Sequence, residues 1–361
     1  MDALSRHRLR LRWRVLACLL ACHAAPRAAG PAVPEIVSPG VLSGPAHDSA
    51  PAFSPDGREV FFTRSSSSLS TILVSHRRAQ DWSEPGIAPF SGEWLEMEPA
   101  FSPDGRFLVY ASNRPDDDGG APIDGFFNGV ARPGKGARLW RVDRLAGGWS
   151  RPRLLPPEIN DGHAVYAPSV ARDGSLYFMK PGADGRFQVF RAQAVGAGFR
   201  PAERMPFNES GAASVDPAVA PDESFIVFSS NRKPARGMDL FIAIRQGDGW
   251  GCAIHLGETV NSAGSDAEAR LSPDAKTLYF ASDRTVDVPF PATRQQTGVA
   301  LKRMHDWDNG NYNIWRVDWS PGSRTPKAVA PARLERAAIA IAGDTGLKPR
   351  LRRRAPAERP S

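Results

Sequence analysis

The stretch "EPAFSPDGRFLVYASNR", Glu98–Arg114, decides the fold because it keeps coming back. It returns as "SAPAFSPDGREVFFTR" (49–64), "VDPAVAPDESFIVFSSNR" (215–232) and "DAEARLSPDAKTLYFASDR" (266–284), with a weaker copy, "SVARDGSLYFMK", at 169–180. The turn "SPDG" suits a tight hairpin: Pro fixes φ, Asp bonds nearby backbone N–H groups, and Gly takes positive φ without a steric penalty. Apolar runs rich in β-branched and aromatic residues follow it, as strands require. Anchored on the turn aspartates Asp56, Asp104, Asp173, Asp222 and Asp274, the copies lie 48, 69, 49 and 52 residues apart. The long interval holds an insertion, "PDDDGGAPIDGFFNGVARPGK". A period near fifty built of short β-rich runs is the signature of a propeller blade.

Each copy reads as strand a before the turn, strand b after it, then strand c ("TILVSH", "RLWRVDR", "QVFRAQA", "DLFIAIR", "NIWRVDW"). The outer strand d ("WSEPGIAPF", "WSRPRLLPP", "FRPAERMPF", "WGCAIHLGE") occurs only four times, with Pro in the first three. Pro is tolerated there because an edge strand has free N–H positions. The missing d strand matches "PEIVSPGVLSG" (34–44), ahead of the first repeat. The sequence therefore predicts an all-β fold: a β-propeller of five four-stranded blades, with an N-terminal strand completing the last blade so that no wide sheet edge is left open. A sixth, degenerate blade is the alternative, but 321–361 contains no repeat phrase.

Charge is unevenly spread. The formal net charge of +7 arises at the ends: residues 1–30 hold six Arg against one Asp, and 321–361 hold ten Lys/Arg against three Asp/Glu. The stretch between them is net acidic, which excludes a nucleic-acid groove. "RHRLRLRWR" followed by "VLACLLACHAA" reads as an export signal, too short to span a bilayer. "LLAC" resembles the lipobox of bacterial lipoproteins, which makes Cys22 the candidate lipidation site and the only route to a membrane; cleavage in the Ala-rich stretch 24–30 is the alternative. The expected organisation is a signal at 1–30, a propeller at 31–320 and a basic, disordered tail at 321–361, in a periplasmic monomer. Only Cys252 remains outside the signal, so no disulfide framework or Cys-based metal site is expected.

The repeats also carry chemistry. Three positions before the last apolar residue of strand a stand Glu98, Asp216 and Glu268; thirteen after it stand Arg114, Arg232 and Arg284. The third copy has Ala167 and no Arg, losing both together, and the first has Ala50 with a displaced Arg64 beside Asp48. Acid and Arg travelling together predict structural ion pairs Glu98–Arg114, Asp216–Arg232 and Glu268–Arg284. The alternative is catalytic. Innermost strands line the central funnel, and Glu98, Asp216 and Glu268 supply the two carboxyl groups, about 5–9.5 Å apart, that glycoside chemistry uses.

Both long insertions, 115–136 and 285–310, are b–c loops and share one propeller face with the d–a loops. Long inserted loops on one face of a repeat fold commonly bind. The candidate binding residues there are His47, Asp48, Phe126, Phe127, Asp161, His163, Trp307 and Tyr312. "DDDGG" (116–120) and "HDWDNGN" (305–311) offer oxygen ligands but not EF-hand spacing. HExxH and GxSxG are absent, and so is any phosphate-binding glycine loop. No metal and no cofactor are expected.

The phrase "AFSPDGR…VYASNR…LWRVD" resembles the TolB-type propeller repeats (WD40-like, Pro-Asp repeats) of bacterial envelope proteins, over about residues 34–320. No α/β domain of the TolB kind is expected ahead of this propeller. The resemblance implies a binding platform, frequently periplasmic. The expectation is an exported, non-enzymatic propeller that binds an envelope protein or glycan through the loop-rich face; the alternative is a polysaccharide hydrolase or lyase acting through the funnel carboxylates.

Overall fold

A computed structural model describes residues 33–318, apart from 80, 118, 128, 129, 286 and 287. The expected signal (1–30), Cys22 and the expected tail (321–361) lie outside the described residues. The chain forms five antiparallel blades, each with its strands in the order a, b, c, d. The inner strands are His47–Phe53, Glu96–Phe101, Tyr166–Val170, Ser214–Val219 and Asp266–Leu271. Each touches the inner strands of the blades before and after it, and the fifth touches the first, closing the ring.

Closure uses the N-terminus, as the strand count predicts. Glu35–Ile36 pairs antiparallel with Asn313–Asp318, strand c of blade five, in the register Glu35↔Arg316 and Ile36↔Trp315. The outer strands are shorter than the sequence suggests. Gly86–Ile87, Arg153–Leu154, Glu203–Arg204 and Ile254–His255 each pair over two residues only; beside the first three, Pro residues in the outer segments lack the N–H a longer ladder needs.

Apolar residues on both faces of the sheets make five cores, one at each blade interface. Phe61, Ile72, Leu108 and Tyr110 fill the first, and Phe178 and Leu139 the second. Tyr177, Phe228 and Phe241 fill the third, and Phe280, Leu278 and Leu240 the fourth. The last joins blade five to blade one through Val37, Leu42, Phe62 and Ile314. Each fully buried Phe or Leu contributes roughly 1.5–3 kcal/mol by leaving water. Trp149 sits edge-on to Phe61 and Phe90, and Trp250 edge-on to Tyr177 and Phe207, so the recurring Trp of the outer segment is a packing residue.

The "SPDG" turns form as read. Asp104 Oδ1 accepts from Ser102 Oγ at 2.7 Å and from Arg106 N at 3.1 Å, and Gly105 has φ 71°. These bonds hold the turn carboxyls of Asp56, Asp222 and Asp274 below the usual range.

Candidate functional site

The centre of the ring is built on a repeated irregularity. Ala50, Glu98, Ala167, Asp216 and Glu268 occupy one position in the five inner strands, and all have positive φ, between 49° and 57°. At each the a–b register slips, as between Met97 and Ala100 in blade two. These are β-bulges, each of which frees a backbone N–H from its own ladder. Non-glycine residues rarely adopt this conformation, so the surroundings must hold it.

The neighbouring blade does so. Glu98 N donates to Thr63 Oγ1 of blade one at 2.8 Å. Ala167 N donates to Glu98 Oε2 at 2.6 Å, and Glu268 N donates to Asp216 Oδ2 at 3.1 Å. Each of these N–H groups finds its acceptor on the blade before it. Glu98 and Asp216 are thus blade-to-blade clasps of a kind the sequence reading missed: the partner is a backbone amide of the next repeat, which no side-chain pattern reveals.

The expected ion pairs Glu98–Arg114, Asp216–Arg232 and Glu268–Arg284 are not formed. Each Arg meets the residue two positions further upstream on strand a. Arg284 Nη2 lies 2.6 Å from Asp266 Oδ1, Arg114 Nη2 3.5 Å from Glu96 Oε1, and Arg64 Nε 2.6 Å from Asp48 Oδ1. In blade four the position is Ser214, and Arg232 Nη2 donates to its Oγ at 2.8 Å. Antiparallel pairing explains the offset: Glu96 stands opposite Ser112, and Asp266 opposite Ser282, two residues before each Arg. The bulge residues lie past the register slip, beyond the reach of that end of strand b.

With the arginines elsewhere, the inner carboxyls lack close counter-charges. Burial, joined by the Glu268 and Asp216 charges, pushes the Glu98 carboxyl up to about 8. Burial and the Asp216 charge push Glu268 up to about 7, and burial raises Asp216. Arg270 is the one cation acting on all three. It is 5% exposed, and its Nε and Nη2 have no hydrogen-bond partner; Glu268 Oε2 has none either. The sequence does hold a signal for Arg270. Blade five reads "EARL" where the other copies read "APAF", "EPAF", "APSV" and "DPAV", placing Arg where they have Ala or Ser.

The expected binding residues divide. Asp48 is fully buried, paired with Arg64 and accepting from Gly44 N at 2.7 Å, so it holds the blade rather than facing a ligand. His47 Nδ1 accepts from Tyr312 N at 3.1 Å, with the two rings 5.8 Å apart, so these two do come together. Burial raises the Tyr312 hydroxyl. Trp307 lies edge-on to Trp315, 6.0 Å away. Asp161 pairs with Lys180, and the His163 carbonyl accepts from Ala137 N at 2.9 Å. Phe126 and Phe127 lie in a small hairpin, Gly125–Phe127 against Val130–Arg132.

The second insertion contains the one helix among the described residues, α1, Arg294–Arg303. A capping box starts it: Gln296 N donates to Thr293 Oγ1 at 3.2 Å and Thr293 N to Gln296 Oε1 at 2.8 Å. Asn309 and Asn311 fasten the far end of the insertion, each side chain donating to the Pro45 carbonyl at 2.9 Å. Yet α1 buries none of its own residues, and Phe290, Val299, Leu301 and Met304 are all exposed. Among the described residues no group of acidic, His or Cys side chains is arranged to hold a metal ion, and no helix is long and apolar enough to cross a membrane.

No protein-family model matches the chain, and no curated protein matches it by sequence. Solved propellers do match in structure. TolB from Acinetobacter baumannii is 18% identical with a TM-score of 0.37, over 56% of this chain and 42% of that one. A TolB-like protein from Agrobacterium tumefaciens is 17% identical with a TM-score of 0.45, over 80% of this chain and 99% of that one. An α-L-arabinofuranosidase from Podospora anserina is 12% identical with a TM-score of 0.44, over 80% and 96%. The chain is a five-bladed β-propeller whose structural neighbours include TolB-like proteins and glycoside hydrolases.

Proposed function

We propose that this protein is an exported, non-enzymatic propeller that binds a protein of the bacterial cell envelope through the face carrying the insertions 115–136 and 285–310. One observation supports the reading above others: α1 is well capped and its insertion is fastened to the ring, yet it leaves Val299 and Leu301 in water, flanked by Phe290 and Met304. A folded element that buries nothing of its own and exposes apolar side chains fits a docking role. Its apolar character favours a protein over a glycan. The test is site-specific photocross-linking in the native envelope, with the cross-linker at Val299 and, as control, at Arg58 on the opposite face. A discrete adduct from Val299 alone, lost in Leu301→Glu, supports the reading; equal labelling at both positions rejects it.

A second reading, a polysaccharide hydrolase or lyase, draws on the inner carboxyls, because Glu98 and Glu268 are held in the range that suits a general acid. Against it, Glu98 and Asp216 already accept backbone N–H groups and are buried. Turnover of a polysaccharide by the full chain, abolished in Glu268→Gln, would put this reading first.

A further inference from the structure

On the face of the a–b turns, away from the insertions, the central channel opens as a cavity of about 80 Å³. Its wall contains one position from each blade, two residues beyond the bulge: Ala52, Ala100, Ser169, Ala218 and Arg270. Four small side chains make the room, and the fifth is the only charged residue lining it. Prolines of the turns form the rim.

Arg270 is in an unusual state for a buried guanidinium. Nη1 is bound to the Ala269 carbonyl at 2.8 Å, while Nε and Nη2 have no partner. Buried polar groups are nearly always satisfied, so an unpartnered pair asks for an unaccounted group. Nε–H and Nη2–H form one edge of the guanidinium fork, whose spacing fits the two oxygens of a carboxylate. A single cation among apolar walls matches a monoanion with a small apolar remainder better than a multiply charged tetrahedral oxyanion.

We propose that this cavity binds a small carboxylate, as a free acid or as the C-terminus of a peptide, with Arg270 as its counter-charge and the alanine ring seating its apolar end. The site is independent of the docking face, and either can stand without the other. The groups facing Arg270 set its pH dependence: Glu98 from blade two, Asp216 from blade four and Glu268 from its own strand, while blades one and three contribute Ala50 and Ala167. Protons held on Glu98 and Glu268 leave the guanidinium charge less compensated at neutral pH and below; as pH rises and they ionise, a bound anion is repelled. Binding therefore weakens with rising pH.

The experiment titrates the full chain with acetate, with N-acetyl-Ala-Ala and with its C-terminal amide, following backbone amide and Arg Nε–H resonances by NMR. The expected result is saturable shifts at Ala100, Ser169, Ala218 and Arg270 Nε–H with the acids and none with the amide. Binding should be at least about tenfold tighter at pH 6 than at pH 9, and at least about tenfold weaker in Arg270→Gln. Tighter binding of N-acetyl-Ala-Ala than of acetate identifies a peptide terminus as the ligand; equal binding identifies a free acid. Amide binding equal to that of the acid, shifts elsewhere only, or no saturable shift overturns the proposal. The map in the unsubstituted protein decides this even if Arg270→Gln does not fold.

Discussion

Glu98 Oε2 accepts the Ala167 N–H across the boundary between blades two and three at 2.6 Å. The side chain of one repeat thereby satisfies the backbone irregularity of the next. Glu98→Ala should leave that buried N–H without an acceptor and cost about 1–3 kcal/mol. Glu98→Gln keeps an acceptor oxygen and should melt close to the parent at neutral pH. Thermal or urea unfolding of the two variants distinguishes them.

The same carboxyl makes stability depend on pH. Its pKa in the folded state, about 8, lies above its value in the unfolded chain, and Glu268, at about 7, is shifted in the same direction. A raised carboxyl means the folded state binds more protons, so its stabilising contribution is complete at acid pH and is lost as pH rises through the folded-state values. The melting temperature should fall between pH 6 and pH 9, and Glu98→Gln should flatten that fall. A steeper slope in the variant would rule out Glu98 as its source.

The rim pair Asp266–Arg284 should be costlier to break than any bulge carboxyl. Asp266 is fully buried and its Oδ1 lies 2.6 Å from Arg284 Nη2. Removing one partner leaves an uncompensated charge, at roughly 3–5 kcal/mol. Arg284→Gln should therefore melt well below both Glu98→Gln and the parent. Asp266→Asn is milder, because an amide can still accept from the guanidinium.

Ring closure depends on a short segment. Leu42 is fully buried in the core that joins blade five to blade one. Leu42→Ala should cost about 2–5 kcal/mol, measurable by chemical denaturation. Removing residues up to 44 exposes strand Asn313–Asp318 as an open edge and should produce association visible in light scattering.

On α1, Val299→Lys and Leu301→Glu should change stability by less than about 0.5 kcal/mol, since both side chains are already in water. Leu301→Glu should abolish the Val299-directed cross-link. Stability loss comparable to that of Leu42→Ala would show that the helix packs against the ring instead.

Local rules were enough for the architecture. The "SPDG" turns, the period near fifty and the missing outer strand were legible because a hairpin turn needs particular residue types at fixed offsets and a strand count is arithmetic on the chain. The pairing of acid with Arg was legible as a correlation, but the partner was misplaced by two residues. That error has a physical source: a bulge changes which way successive side chains point, and nothing in the phrase "EMEPAF" separates Glu96, which faces Arg114, from Glu98, which faces the next blade. Asp48 is a binding candidate in the sequence because it stands on the loop-rich face, and nothing local shows that it is buried. Its burial depends on Arg64 and Gly44, brought to it by the pairing of strands a and b and by the closing segment. The sequence by itself determined five blades, their turns and their closure. Only the tertiary structure decided what Glu98 and Asp216 hold, because their partners are backbone amides of other blades, and what Arg270 faces, because four small residues from four distant repeats make the space beside it.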